Sequence, residues 1–209
     1  YMYTLDEADG LGTSSTIKRA NDEFYENYLA SYAQYIDTDA GFCGDRSTLN
    51  VQSGVGTGTV TTYNKGYLRT VTSNPDLSCE NEKDLYTVSG SSKGNKALSY
   101  PIGLITVDEV ILAGHAGGVF DGTYNYQKIA PNTYLTIGNT YWTMTPAGGY
   151  NPFGRTYWNA IVFLVYSSGT LDADIISNSY GLRPTINLKS TVNIVGSGTI
   201  SDPYVLSVN

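Results

Sequence analysis

Few side chains in this chain could do chemistry, and their spacing limits what each can support. The one histidine, His115, sits in a glycine-flanked stretch. A catalytic imidazole needs an orienting acid and a nucleophile, and a zinc site needs further His or Cys ligands. Neither set lies at local spacing, so His115 reads as a surface or loop-packing residue. Asp37 and Asp39 alternate like the acids of a calcium loop, yet Gly41 holds the next alternate position and no distal Glu follows. The pair reads as a helix stop. Asp172 and Asp174 alternate on an extended segment and so share a face, where two acids read as solubilising. Glycoside hydrolysis would need two carboxylates at a defined separation across a cleft, which spacing alone does not establish. The run Gly56-Thr57-Gly58-Thr59 is too short to cradle a phosphate.

Binding chemistry has a stronger candidate. Tyr150, Asn151, Phe153, Arg155, Tyr157 and Trp158 crowd together among Gly148, Gly149 and Gly154. Tyr, Trp and Arg dominate binding hot spots, and Tyr with Ser, Gly and Asn is the composition of adaptable paratopes. The competing reading is that the tryptophans fill the core between loops and sheet, which suits Trp142 better than the 148–158 stretch. Cys43 and Cys79 are either two buried thiols or a disulfide. If bonded, they close a loop of about 37 residues, and the chain-entropy estimate is then close to 4 kcal/mol.

Several elements must position these groups. Ile17, Ala20, Phe24, Tyr28, Tyr32 and Tyr35 recur at spacings of three and four, which predicts a first helix over 14–36 with this aromatic stripe in the core. Ser14 or Ser15 can cap it, and the 37–41 stretch ends it. From 41 to 63 and from 75 to 96 the chain is polar, with a short strand expected in 84–88. An extended segment, 98–105, begins its strand near Ile102 because Pro101 disfavours earlier pairing. Thr106 and Glu109 match a capping box ahead of a short helix, 107–113, which Gly114 stops. The stretch 115–133 reads as a long excursion, of the kind that is often functional. Ala160 to Tyr166 is an apolar run of strand length, followed by a Ser167-Ser168-Gly169 turn and a second extended segment. Two strand-like runs then flank Gly196-Ser197-Gly198-Thr199, with Asp202-Pro203 starting the last.

Composition narrows the class further. The 209 residues carry a formal charge of −7, with only 15% charged residues, 23 Gly and 19 Tyr. The chain is long enough for a sizeable core and reads as one loop-rich, β-dominated domain over 1–209, with 1–13 as an N-terminal arm. Acidity disfavours nucleic acid and anionic membrane as partners. No apolar segment approaches the roughly 20 residues that cross a bilayer. The start lacks a basic-then-apolar leader, so Tyr1 reads as the beginning of a mature or trimmed chain.

Tyr141-Trp142-Thr143-Met144-Thr145-Pro146, the 165–171 turn and Gly181-Leu182-Arg183-Pro184-Thr185-Ile186-Asn187-Leu188 together resemble the C-type-lectin-like fold, including its formylglycine-generating-enzyme branch. More closely, four blocks at 14–36, 40–47, 96–114 and the C-terminal region are similar to uncharacterised secreted or surface-anchored domains of Gram-positive gut bacteria, some joined to pilin-like helices. The resemblance implies an α+β, C-type-lectin-like domain with two helices in the N-terminal half and a mostly antiparallel, twisted sheet with long loops. It also implies that Cys43 and Cys79 are bonded, which suits an oxidising compartment and an extracellular or cell-surface location. Formylglycine-generating enzymes use a late cysteine pair, and nothing after Cys79 is a cysteine, so that activity does not transfer. Calcium-dependent lectins use a "WND" strand, and Ala160 stands where its Asp would fall. The expectation is a non-catalytic domain with no cofactor and no metal that binds a host or bacterial surface protein or glycan through 150–158. The alternative is a structural subunit or tip of a pilus or stalk, self-assembling in a surface polymer. Trp142 and Arg183 are expected to brace the sheet.

Overall fold

In the computed structural model, which describes residues 15–49, 62–115, 119–120, 124–125, 133–150, 159–199 and 201–207, the first element is helix α1 (Thr16–Phe24). Ser15 caps it by accepting from the Lys18 amide at 3.1 Å. The helix continues as a π segment, Tyr25–Leu29, and a 3-10 segment, Ala30–Tyr35, so the expected element exists but changes winding twice. The expected aromatic stripe is not the buried face. Phe24, Tyr28 and Tyr32 are 37%, 65% and 49% exposed. Ile17 of the expected stripe does pack inward, but from it the inward row runs through Asn21, Tyr25 and Leu29. Two contacts turn that row inward: Asn21 donates to the Gly103 carbonyl, and the Tyr25 ring stacks on Tyr100 with centroids 4.8 Å apart. Tyr25, Ile36 and Ile102 form the small cluster that seats the helix.

Short elements follow: β1 (Phe42–Cys43), β2 (Thr62–Tyr63), α2 (Lys65–Thr72), β3 (Leu85–Tyr86), β4 (Gly103–Leu104), α3 (Val107–Leu112), β5 (Val119–Phe120) and β6 (Tyr124–Asn125). Strand β1 pairs with β3, and β5 with β6, both antiparallel. The expectation of two helices in the N-terminal half is corrected to three by α2. It buries only Gly66 and Thr70, so it carries no apolar stripe for a periodicity argument to find. Helix α3 has the expected capping box: Thr106 Oγ1 accepts from the Glu109 amide, and Glu109 Oε2 accepts from the Thr106 amide at 2.7 Å.

The sheet that organises the molecule comprises β2, β7 (Tyr141–Tyr150), β8 (Asn159–Val165) and β9 (Leu171–Ile175), in the order β2-β7-β8-β9, with every pair antiparallel. Its apolar run in β8 is buried on both faces, so it lacks polar alternation. Phe163 and Val165 face a cluster with Val107, Val110, Ile111, Leu135 and Tyr141. Leu164 faces the other, with Phe42, Tyr86, Leu104, Trp142 and Met144. Phe163, Leu164 and Val165 have no exposed surface, and each contributes about 1.5–3 kcal/mol of burial. Trp142 is thus core, as its neighbours in sequence suggest. Strand β7 shifts register around Pro146. Gly148 there has φ +150°, and a Cβ would collide with the Thr62 carbonyl where β2 crosses.

The C-terminal pass ties the molecule together. Strand β10 (Pro184–Thr185) pairs with β4, and Gly181 and Leu188 make single bridges to Tyr141 and Ile36. Strands β11 (Ile194–Val195) and β12 (Val205–Leu206) form the expected final hairpin. The architecture is α+β, and among the described residues no helix is long and apolar enough to cross a membrane.

Candidate functional site

A cleft of about 200 Å³ opens between β1, the 76–79 segment and the start of α3. Helix α2 delivers Arg69 into it. The guanidinium donates Nε and Nη2 to the two oxygens of Asp108, at 2.6 and 2.9 Å, and Nη1 to Asp45 Oδ2 at 2.7 Å. Asp108 also accepts from the Asp76 amide at 3.0 Å, and Asp45 accepts from the Ser47 amide and hydroxyl. One arginine therefore joins four stretches of chain that the sequence keeps apart. Burial pushes the Asp45 carboxyl up, but hydrogen bonds from Ser47 and Arg69 outweigh it and hold the group below its ordinary 3.8. Burial lowers Arg69, while Asp108 and Asp45 more than restore it.

Cys43 and Cys79 are bonded across the same cleft, with Cα atoms 5.7 Å apart, which removes the free-thiol alternative. A second pair lies nearby: Arg46 Nε donates to Asp84 Oδ1 at 2.5 Å, with Asp84 only 2% exposed. The lining hydroxyls are also engaged. Thr106 donates to Glu109, and Thr145 accepts from the Val107 amide. A volume of about 200 Å³ lies below the roughly 300–1,000 Å³ of small-molecule sites. Its charges face one another, so the arrangement works as a clamp. Among the described residues, no group of three or more His, Cys, Asp or Glu is placed to hold a metal ion.

Of the expected binding residues, the structure describes Tyr150, at one end of the central sheet. Tyr150 ends β7 opposite Asn159. Asn151, Phe153, Arg155, Tyr157 and Trp158 lie outside the described residues, as does most of the 115–133 excursion. Arg69, Asp45 and Asp108 escaped the sequence reading because they stand 24 and 39 residues apart, beyond any local motif.

His115 is 1% exposed, so the surface alternative for it is corrected to packing. Its Nε2 lies 2.9 Å from Thr133 Oγ1. Its Nδ1 has no hydrogen-bond partner among the described residues, and the Gly169 backbone favours the charged ring. Burial, aided by the Arg183 charge, pushes the imidazole below its ordinary 6.5. Arg183 donates to the Tyr134 carbonyl at 2.9 Å, with its guanidinium 5.4 Å from the Tyr134 and Tyr141 ring centroids, and so braces β7. A group depressed in the folded state favours folding above its unfolded pKa and loses that advantage as pH falls towards its folded value. The urea midpoint is therefore expected to fall as pH drops below 6.5, with that slope absent in His115→Asn. Equal slopes in both proteins would remove His115 as the cause.

Asp172 and Asp174 do share a face, yet they are not exposed acids. Asp172 is 7% exposed, and Asp174 accepts from Tyr180 Oη at 2.6 Å and from Asn178 Nδ2 at 2.8 Å. Beside them, burial first and Asp172 second push the Tyr166 phenol up to about 12. Asp39 likewise accepts from Ser91 and from Ser92, tying the 37–41 turn to the next loop. Compared with family models, with curated proteins and with solved structures, the chain matches none.

Proposed function

We propose that this chain is an extracellular or cell-surface recognition domain of C-type-lectin-like architecture, which binds protein or glycan through 150–158 and catalyses no reaction. The observation that carries this reading is the β7–β8 ladder. Tyr150 pairs with Asn159, and the strands behind them are the buried centre of the sheet. The eight residues from 151 to 158, among them Arg155, Tyr157 and Trp158, join the ends of these two strands in sequence. Binding residues commonly sit on loops held by a rigid scaffold. The disulfide supports an oxidising compartment. In a glycan or protein array, the Tyr150→Ala, Trp158→Ala double variant is expected to lose about 30-fold or more in affinity. Unchanged binding would remove this site.

A second reading is favoured by the β11–β12 hairpin. Ile194, Val195, Tyr204 and Val205 are 49–61% exposed on a two-stranded unit, and such a unit gains stability when something packs on it. A structural subunit of a pilus or stalk would bury these residues against a neighbour. Concentration-dependent self-association that Val195→Lys abolishes would favour this reading over the first.

A further inference from the structure

Strand β9 is the outer strand of the central sheet, and two of its five residues, Asp172 and Asp174, are acids. Among the described residues, no strand pairs with its far side. The opposite edge, β2, is two residues long, and the Leu49 amide already donates to the Tyr63 carbonyl there. The long free edge is therefore β9, and such an edge offers a row of backbone groups to any passing strand.

The ladder to β8 identifies those groups. Tyr166 donates its amide to the Thr170 carbonyl and Ile176 to the Ala160 carbonyl, so the even-numbered residues of β9 exchange bonds with β8. The amides and carbonyls of Leu171, Ala173 and Ile175 then point away from it. Two of these outward amides are taken by the strand's own side chains: Asp172 Oδ1 accepts from the Ala173 amide at 2.8 Å, and Asp174 Oδ1 from the Ile175 amide at 2.7 Å. The Ile175 carbonyl accepts from the Asn178 amide at 3.1 Å. Each acid is also held from its other side. Tyr180 Oη and Asn178 Nδ2 donate to Asp174 Oδ2, and the Tyr166 phenol hydrogen-bonds to Asp172. Acids that served solubility alone would need no such supports, and Asp172 would not be only 7% exposed.

We propose that Asp172 and Asp174 guard the β9 edge, preventing a second copy of this chain from adding its own β9 there. The strand is self-complementary in the antiparallel sense. With Ala173 on a two-fold axis, the two small Ala173 residues meet at the centre, and Leu171 of one copy stands opposite Ile175 of the other. In that register Asp172 of one copy faces Asp174 of the other across a non-hydrogen-bonded pair, the closer kind, so like charges meet twice. The guards thus fill the donors that the second copy needs and repel it by charge. This role is independent of the 150–158 loop and stands whether or not that loop binds a ligand.

The test compares, by sedimentation, self-association of the full chain with that of its Asp172→Ala, Asp174→Ala variant. The variant is expected to associate about tenfold or more tightly than the parent, because two freed amides find carbonyls on the second copy. Adding Ala173→Pro removes the central outward amide, leaves the bonds to β8 in place and is expected to restore the parent's behaviour. The Asp172→Asn, Asp174→Asn variant keeps an acceptor oxygen in each side chain and is expected to associate less than the alanine pair. Amide exchange in the unsubstituted chain reads the guards without relying on any variant to fold: Ala173 and Ile175 are expected to be protected despite their edge position. Four results overturn the proposal: a folded alanine variant that associates no more than the parent, association that Ala173→Pro leaves unchanged, a parent that already associates through β9, or unprotected amides at Ala173 and Ile175 in the parent.

Discussion

Replacing Arg69 with methionine is expected to cost about 3–5 kcal/mol of stability, because it strips the counter-charge from two enclosed carboxylates at once. The Asp108 side chain is 6% exposed and that of Asp45 is 21% exposed. Methionine retains much of the arginine stem, so the loss reports the missing guanidinium more than missing packing. Lys65→Met provides the contrast. Its ion pair with Glu80 is 3.4 Å long and its partners are 44% and 74% exposed, so the expected cost is under about 1 kcal/mol. Urea unfolding at neutral pH measures both. Asp45 adds a pH signature: held below 3.8 in the folded state, it stabilises fully above that value and loses its contribution as pH falls through its folded pKa. That acid-side slope shrinks in Arg69→Met. A loss below about 1 kcal/mol for Arg69→Met would mean that the clamp is no stronger than a surface pair.

The sequence spoke clearly wherever a structural cause was local. The Thr106–Glu109 capping box, the apolar run of β8 with its Ser167–Gly169 turn, and the final hairpin all depend on residues within a few positions of one another. It misled where tertiary contact chose between equal local options. Two adjacent rows of helix α1 have helical spacing, and only the Gly103 carbonyl and the Tyr100 ring, some 80 residues on, decide that Asn21 and Tyr25 face inward. Helix α2 was invisible for a related reason. It needs small residues to approach β7, and a Cβ on Gly66 would stand 2.7 Å from Thr145 Cγ2, so closeness replaced the apolar stripe. Its N-terminal Asn64 gives no capping bond but donates its amide to the Arg46 carbonyl at 2.8 Å. Asp172 and Asp174 share the expected face but are not solvated, because the tyrosines beside them come from the stretches on either side of β9. Of the candidate binding residues, Tyr150 is described, as the last residue of β7 opposite Asn159, and the others lie outside the described residues.

Reducing the Cys43–Cys79 disulfide is expected to cost close to 4 kcal/mol, by returning freedom to a loop of 36-residue separation in the unfolded chain. The folded side of the balance modifies that figure, because the bond closes the same cleft that Arg69 clamps. The stretch from Asn74 to Asn81 has no helix or strand of its own. Apart from the disulfide, its ties to the body include the Asp76 amide on Asp108 and the Asn74 amide on the Arg69 carbonyl. In the Cys43→Ser, Cys79→Ser protein this stretch is held mainly through the arginine network. Arg69→Met should then cost more than it does with the bond intact, a coupling of about 0.5–3 kcal/mol that a double-mutant cycle in urea would read. Amide exchange at Asp76 gives the local counterpart, with protection falling modestly for either change and collapsing for both. Strict additivity would instead assign the disulfide wholly to the unfolded chain, leaving the charged clamp alone to hold the cleft shut.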